Sequence, residues 1–119
     1  MVPSQNDDLD AEPAADLTLG GYLGLHSRPP AFEGPDGQPY TVDVDVEATS
    51  DPNRPFAAFF IFLRWAETGA GIMMHVESPD VAYGRSEEEA RAAALELSLY
   101  EVKAELDAAI ASKKRELEG

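Results

Sequence analysis

In the nine residues YTVDVDVEA (residues 40–48), Asp43, Asp45 and Glu47 alternate with apolar side chains. Carboxylates are the ligands a hard cation takes. On a strand, however, same-face neighbours stand roughly 7 Å apart and diverge rather than close on one ion. The expected reading is a solvated sheet face. His26 and His75 are the only histidines. A general base needs an orienting acid and a nucleophile within reach, and the sequence places neither beside His75. It is expected to be structural or part of an interface. No serine sits in a Gly-x-Ser-x-Gly elbow, and LGGYLG (residues 19–24) has the spacing of neither a phosphate loop nor a dinucleotide fingerprint. The absence of cysteine excludes disulfides, thiolate nucleophiles, iron–sulfur clusters and thiolate zinc sites. No catalytic, cofactor-binding or metal-binding residue is therefore assigned, and the chain is not expected to be an enzyme.

The stronger signal is apolar. PFAAFFIFLRW (residues 55–65) has no polar residue on either face until Arg64. A half-buried strand needs only one apolar face. Phe59, Ile61, Leu63 and Trp65 share one face; Trp65 is read as core, and one of the two faces, Ala57/Phe59/Ile61/Leu63/Trp65 or its complement, must meet the helix. Phe56, Phe60 and Phe62 share the other with Arg64. Left open together, the three phenylalanines would make an apolar patch larger than soluble monomers carry. Arg and aromatic side chains are also enriched at interface centres. Phe56, Phe60, Phe62 and Arg64, with Met73, His75, Leu97 and Tyr100, are accordingly assigned to a partner or dimer interface. Arg64 pairing with Asp43, Asp45 or Glu77 is the alternative for that residue. Phe60→Asp or Phe62→Asp is expected to break association while sparing helix content.

The 119 residues carry 23 acids against 9 bases, a net charge of −14. That field repels phosphates and anionic membranes, which disfavours direct nucleic-acid or lipid binding. Basic proteins, cations or a salt-adapted surface fit it. No apolar run approaches a membrane span, and the N-terminus lacks the pattern of a signal peptide, so a cytoplasmic location is expected.

The elements that must position these residues follow from periodicity. Residues 1–17 combine acids, proline and small polar residues and read as a disordered acidic tail, leaving 18–119 as a single domain. Residues 18–39 scatter Leu19, Tyr22, Leu23, Leu25 and Phe32 among Gly and Pro and read as extended chain over the surface, with GPDGQP as a turn. Residues 40–48 are a strand with Tyr40, Val42, Val44 and Val46 on its dry side. TSDPNRP makes a loop, the aromatic stretch a second strand, ETGAG a hairpin connection and IMMHVES a third strand. PDVAYG can add a short edge. Ser86 followed by Glu89 is a capping box. From Glu87 a helix of roughly thirty residues follows, about 45 Å long. It shows two apolar stripes, Ala92/Leu95/Leu99/Val102/Leu106/Ile110 and Ala90/Ala93/Ala94/Leu97/Ala104/Ala108. The expected fold is α+β, a three- to four-stranded antiparallel sheet packed by one long C-terminal helix. The two-sided strand and two-striped helix suggest a homodimer, with Leu19–Phe32 as the alternative cover.

VESPDVAYGRSEEEARAAALE (residues 76–96) resembles the end of HicB-like antitoxin domains. There a strand, a Pro-Asp turn and a Gly-x-Ser/Thr-x-Glu-Glu-Ala helix start follow in order. EGPDGQPYTVDVDVE (33–47) and YGRSEEEARAAALELSL (83–99) look like the second strand and final helix start of double-stranded-RNA-binding domains. Both resemblances imply a three-stranded antiparallel sheet with a helix on one face. The RNA-binding lysines of the latter family are replaced by Glu87 and Glu88, with Arg91 nearby, so RNA binding is not implied. What the resemblance implies is a non-catalytic protein-binding module, an adaptor or antitoxin-like neutraliser of a basic protein. A small acidic chaperone of the secretion type and a nucleic-acid mimic are the other function classes the acidity allows.

Overall fold

The computed structural model describes residues 17–26, 28–66 and 71–118. The acidic segment 1–16 and residues 67–70 of the expected hairpin connection lie outside them. The elements run α1 (Leu19–Leu25), β1 (Ala31–Glu33), β2 (Pro39–Ala48), β3 (Phe56–Trp65), β4 (Ile72–Glu77), β5 (Ala82–Gly84), α2 (Glu87–Leu95) and α3 (Leu99–Glu118). The fold is α+β: an antiparallel sheet in the order β1-β2-β3-β4, with β5 also paired to β3, and helices packed on one face.

The β2–β3 register decides which face each aromatic takes. Thr49 to Pro55 form a seven-residue connection closed by the Thr49 amide donating to the Pro55 carbonyl at 2.8 Å. Ala48 therefore pairs with Phe56, and even-numbered residues face even-numbered ones: Val42 meets Phe62, Val44 meets Phe60. Side chains alternate across a strand, so Phe60 and Phe62 join the valine face of β2. Both are fully buried, packed with Tyr40, Val42 and Val44 below Ala90, Ala94, Val102 and Leu106 of the helices. This corrects their assignment to an interface. Each ring removed from water stabilises the fold by about 1.5–3 kcal/mol, which an exposed position would forfeit.

β4 and β5 act as one strand interrupted at residues 78–81. Pro79 has no amide to give, and the ladder is kept by Ser78. Its amide donates to the Phe60 carbonyl and its Oγ accepts from the Phe60 amide, both at 2.9 Å, before Val81 donates to Ala58 at 2.8 Å. A buried hydroxyl thus replaces a main-chain carbonyl. Gly84 then lets the chain approach α2 closely, since a Cβ there would lie 2.5 Å from the Ala90 nitrogen.

α2 starts as the capping box predicts, with the Glu89 amide donating to Ser86 Oγ at 3.1 Å, while the Glu89 carboxylate accepts from Arg85 at 2.7 Å. The single long helix is corrected to two. Ser98 and Glu101 form a second capping box: the Glu101 amide donates to Ser98 Oγ at 3.1 Å and the Ser98 amide to Glu101 Oε1 at 2.8 Å. The break is stitched to the start of the domain, with Leu19 donating to Leu97 and Leu99 to Leu17, each at 2.8 Å. It also resolves the two stripes. α2 buries Ala90 and Ala94 from one stripe, and α3 buries Leu99, Val102 and Leu106 from the other. Ala92, Ala104 and Ala108 are exposed. The helix needs no second partner to explain its pattern.

The reading of residues 18–39 as extended is corrected at its start. Thr18 caps a short helix, its Oγ1 accepting from the Gly21 amide at 2.9 Å, and Leu19 enters the core with 1% of its surface exposed. Among the described residues extended chain follows α1, at His26, in β1 and where β2 opens at Pro39, and GPDGQP turns at Gly37, whose φ of 79° lies in the left-handed region.

Candidate functional site

The same register that buries Phe60 and Phe62 turns their neighbours outward. Thr41, Asp43, Asp45 and Glu47 of β2 lie beside Leu63, Ile61, Phe59 and Ala57 of β3. Across β3, Ile61 pairs with Glu77 and Leu63 with His75. The face away from the helices is thus an apolar stripe along the central strand, with Asp43, Asp45 and Glu47 along one side and His75 and Glu77 along the other. Phe59, Ile61 and Leu63 are half-buried by their flanks, and Trp65 is 37% exposed. Trp65 is held in place by its indole N–H, which donates to Thr41 Oγ1 at 2.9 Å. The expectation of a core position is corrected for Trp65, and none of the four joins the buried cluster beneath the helices.

The carboxylates on the β2 rim are engaged with the backbone. β1 pairs only with residues 39–41, so β2 is an edge strand from Val42 onward. Asp43 Oδ1 accepts from the Val44 amide and Asp45 Oδ1 from the Val46 amide, each at 2.8 Å. Arg91 Nη1 donates to the Val44 carbonyl at 2.7 Å. Side chains therefore occupy the edge groups through which another strand would add. At the far end of the stripe, Glu47 and Asp80 meet across β3 near the fully buried Ala57. The hydrogen bond that protonated Glu47 donates to the Asp80 carboxylate, with the repulsion between the two groups, holds Glu47 above its ordinary value of 4.5.

A cavity of about 380 Å³ adjoins the other end, at the β2 edge. It shares Leu63 and Trp65 with the stripe and reaches Leu19, Leu23, Leu95 and Arg91. Among the described residues no group of three or more His, Asp or Glu side chains is placed to hold a metal ion, and no helix is long and apolar enough to cross a membrane.

The residues assigned to an interface from sequence do not form one surface. Phe60 and Phe62 are core, Phe56 is half-buried against that core, and Leu97 packs at the helix break. Tyr100 is 75% exposed, but on α3. Met73 and His75 are exposed, and His75 Nε2 stands 3.8 Å from Glu77 Oε2, so this part of the assignment falls on the open face. Arg64 points to the opposite face from Asp43, Asp45 and Glu77, and its Nε is enclosed without a hydrogen-bond partner. It sits near Tyr40 and Asp36 instead. Burial, then the 2.7 Å hydrogen bond to Asp36, pushes the Tyr40 hydroxyl up to about 12. At Asp36 burial acts upward, but the bonds from Tyr40 and the Gln38 amide outweigh it and hold the carboxyl below its ordinary value. Sequence reasoning missed Phe59, Ile61, Leu63 and Trp65 as a surface; the parity of the 49–55 connection was the signal that identifies them. No family model, curated protein or solved structure matches the chain.

Proposed function

We propose that this chain is a non-catalytic protein-binding module that receives a basic protein on the open face of its sheet, as an adaptor or an antitoxin-like neutraliser does. The observation that carries the reading is the apolar row Phe59, Ile61, Leu63 and Trp65 between the carboxylates of Asp43, Asp45 and Glu47 on one side and Glu77 on the other. The row offers hydrophobic area, and the rims select the sign of the partner's charge. A homodimer built face to face would set the carboxylates of Asp43, Asp45, Glu47 and Glu77 against those of a second copy. Charge therefore favours a different, basic chain over a second copy.

Zero-length carboxyl–amine crosslinking of the chain isolated from its source cells tests this. Partner lysines joined to Asp43, Asp45, Glu47 or Glu77 are expected. Links confined to acids of α2 and α3, or spread over many unfolded clients as for a chaperone, would contradict it.

A further inference from the structure

Given a basic partner on this face, we infer that the element it contributes is a basic amphipathic helix laid along β3, not a strand added to the sheet. The inference rests on the reading above and adds the form of the ligand.

Strand addition needs a free edge with open amides and carbonyls. On β2 the amides of Val44 and Val46 are taken by Asp43 and Asp45, and the Val44 carbonyl by Arg91. On the other side α3 runs against β4, where Ala109, Ser112 and Lys113 line a cavity with His75, Val76 and Glu77. The β2 edge beyond β1 and the β4 edge are obstructed, and the face beside them is open.

The dimensions of that face fit a helix. The β2 and β4 rims are two strand spacings apart, about 10 Å, which matches the width of a helix of about 10–12 Å. From Phe59 to Trp65 the stripe runs about 20 Å, the length of roughly thirteen helical residues. Apolar side chains at i, i+3, i+4 and i+7 would seat on Phe59, Ile61 and Leu63. Lys or Arg on both flanks would then reach Asp43 and Asp45 on one side and Glu77 on the other. The cavity beside Leu63 and Trp65 offers room for one larger apolar anchor at the end of the helix. The first sixteen residues of the chain carry five acids and no Lys or Arg, the wrong sign to occupy this face themselves.

The test uses the full chain and two synthetic peptides of about fourteen residues, both made only of Leu and Lys. One places its leucines with helical period and the other alternates them. Trp65 is the chain's single tryptophan and stands at the end of the stripe, so its emission reports occupancy. The helical-period peptide is expected to bind about tenfold tighter than the alternating one, to shift Trp65 emission to the blue and to gain helical ellipticity. Ile61→Lys should weaken it about tenfold or more. Asp43→Asn with Asp45→Asn should weaken it more than Glu96→Gln with Glu118→Gln, which removes the same charge elsewhere. An alternating peptide that binds equally well or better, still sensitive to Asp43→Asn with Asp45→Asn, would overturn the helix while leaving the basic-partner reading intact. Failure of both peptides to bind would overturn both. Helical-peptide binding indifferent to Ile61→Lys would overturn the placement on β3.

Discussion

The two faces of β3 are built from nearly the same residue types and have opposite fates. Ala58, Phe60 and Phe62 are sealed beneath two helices, while Phe59, Ile61, Leu63 and Trp65 look out between the acids of β2 on one side and His75 and Glu77 on the other. Hydrophobicity does not distinguish them. Their neighbours on β2 do: Ala58, Phe60 and Phe62 meet valines, whereas Phe59 and Ile61 meet aspartates and Leu63 meets Thr41. Burial in a sheet is thus a property of the register as much as of the side chain.

The sharpest way to break this contrast is to truncate one residue from each face. Phe62→Ala is expected to cost about 3–5 kcal/mol in urea unfolding, through lost burial and the cavity left behind. Leu63→Ala on the other face should cost less than about 1 kcal/mol. Equal losses would mean that both faces are core. Ser78→Ala probes how the inner face is secured. It removes the acceptor of the buried Phe60 amide and should cost about 1–3 kcal/mol, with faster hydrogen exchange at that amide. Unchanged exchange would mean that the hydroxyl is not what holds the interrupted strand. Ser98→Ala weakens the start of α3, the lid over Phe60 and Phe62. The expected loss is about 1 kcal/mol, read from the thermal midpoint, and no loss would mean that the break is held by the Leu17–Leu99 and Leu19–Leu97 bonds alone.

The smallest effect belongs to the outer face. Glu47 binds its proton more tightly in the folded chain than in the unfolded one, because the value is raised above 4.5. Its contribution to stability is present in full below 4.5 and is lost as pH rises through the raised value. Glu47→Gln should flatten that part of the stability profile. A profile identical to that of the parent chain would mean that Glu47 is not held above its ordinary value by the fold.

The sequence made β2 legible because its alternation is chemical as well as spatial: valine inward, carboxylate outward. β3 carries no such contrast, so periodicity alone cannot orient it. The orientation lies in the odd-numbered connection between Ala48 and Phe56, a detail of loop length rather than of hydrophobicity. The helix break was also written in the sequence, as Ser98 three residues before Glu101. The helix-forming run of Ala, Leu and Glu around it masks the signal. At Leu19–Leu25 the two adjacent glycines argue for extended chain, but the Thr18 cap and the bonds tying Leu17 and Leu19 to the helix break outweigh their preference. The open face was legible only in part, through Met73, His75 and the acids of β2, because no one-strand pattern reports what lies across the sheet.

Two adjacent charge insertions separate the open face of β3 from its buried one. Ile61 lies between Asp43 and Glu77, whereas Phe62 lies under the helices. The account predicts that Ile61→Lys folds with a urea midpoint close to that of the parent chain, its ammonium set between two carboxylates, while Phe62→Lys is unfolded without denaturant. If Ile61→Lys were also unfolded, the outer face would be core and the binding surface proposed for it would not exist.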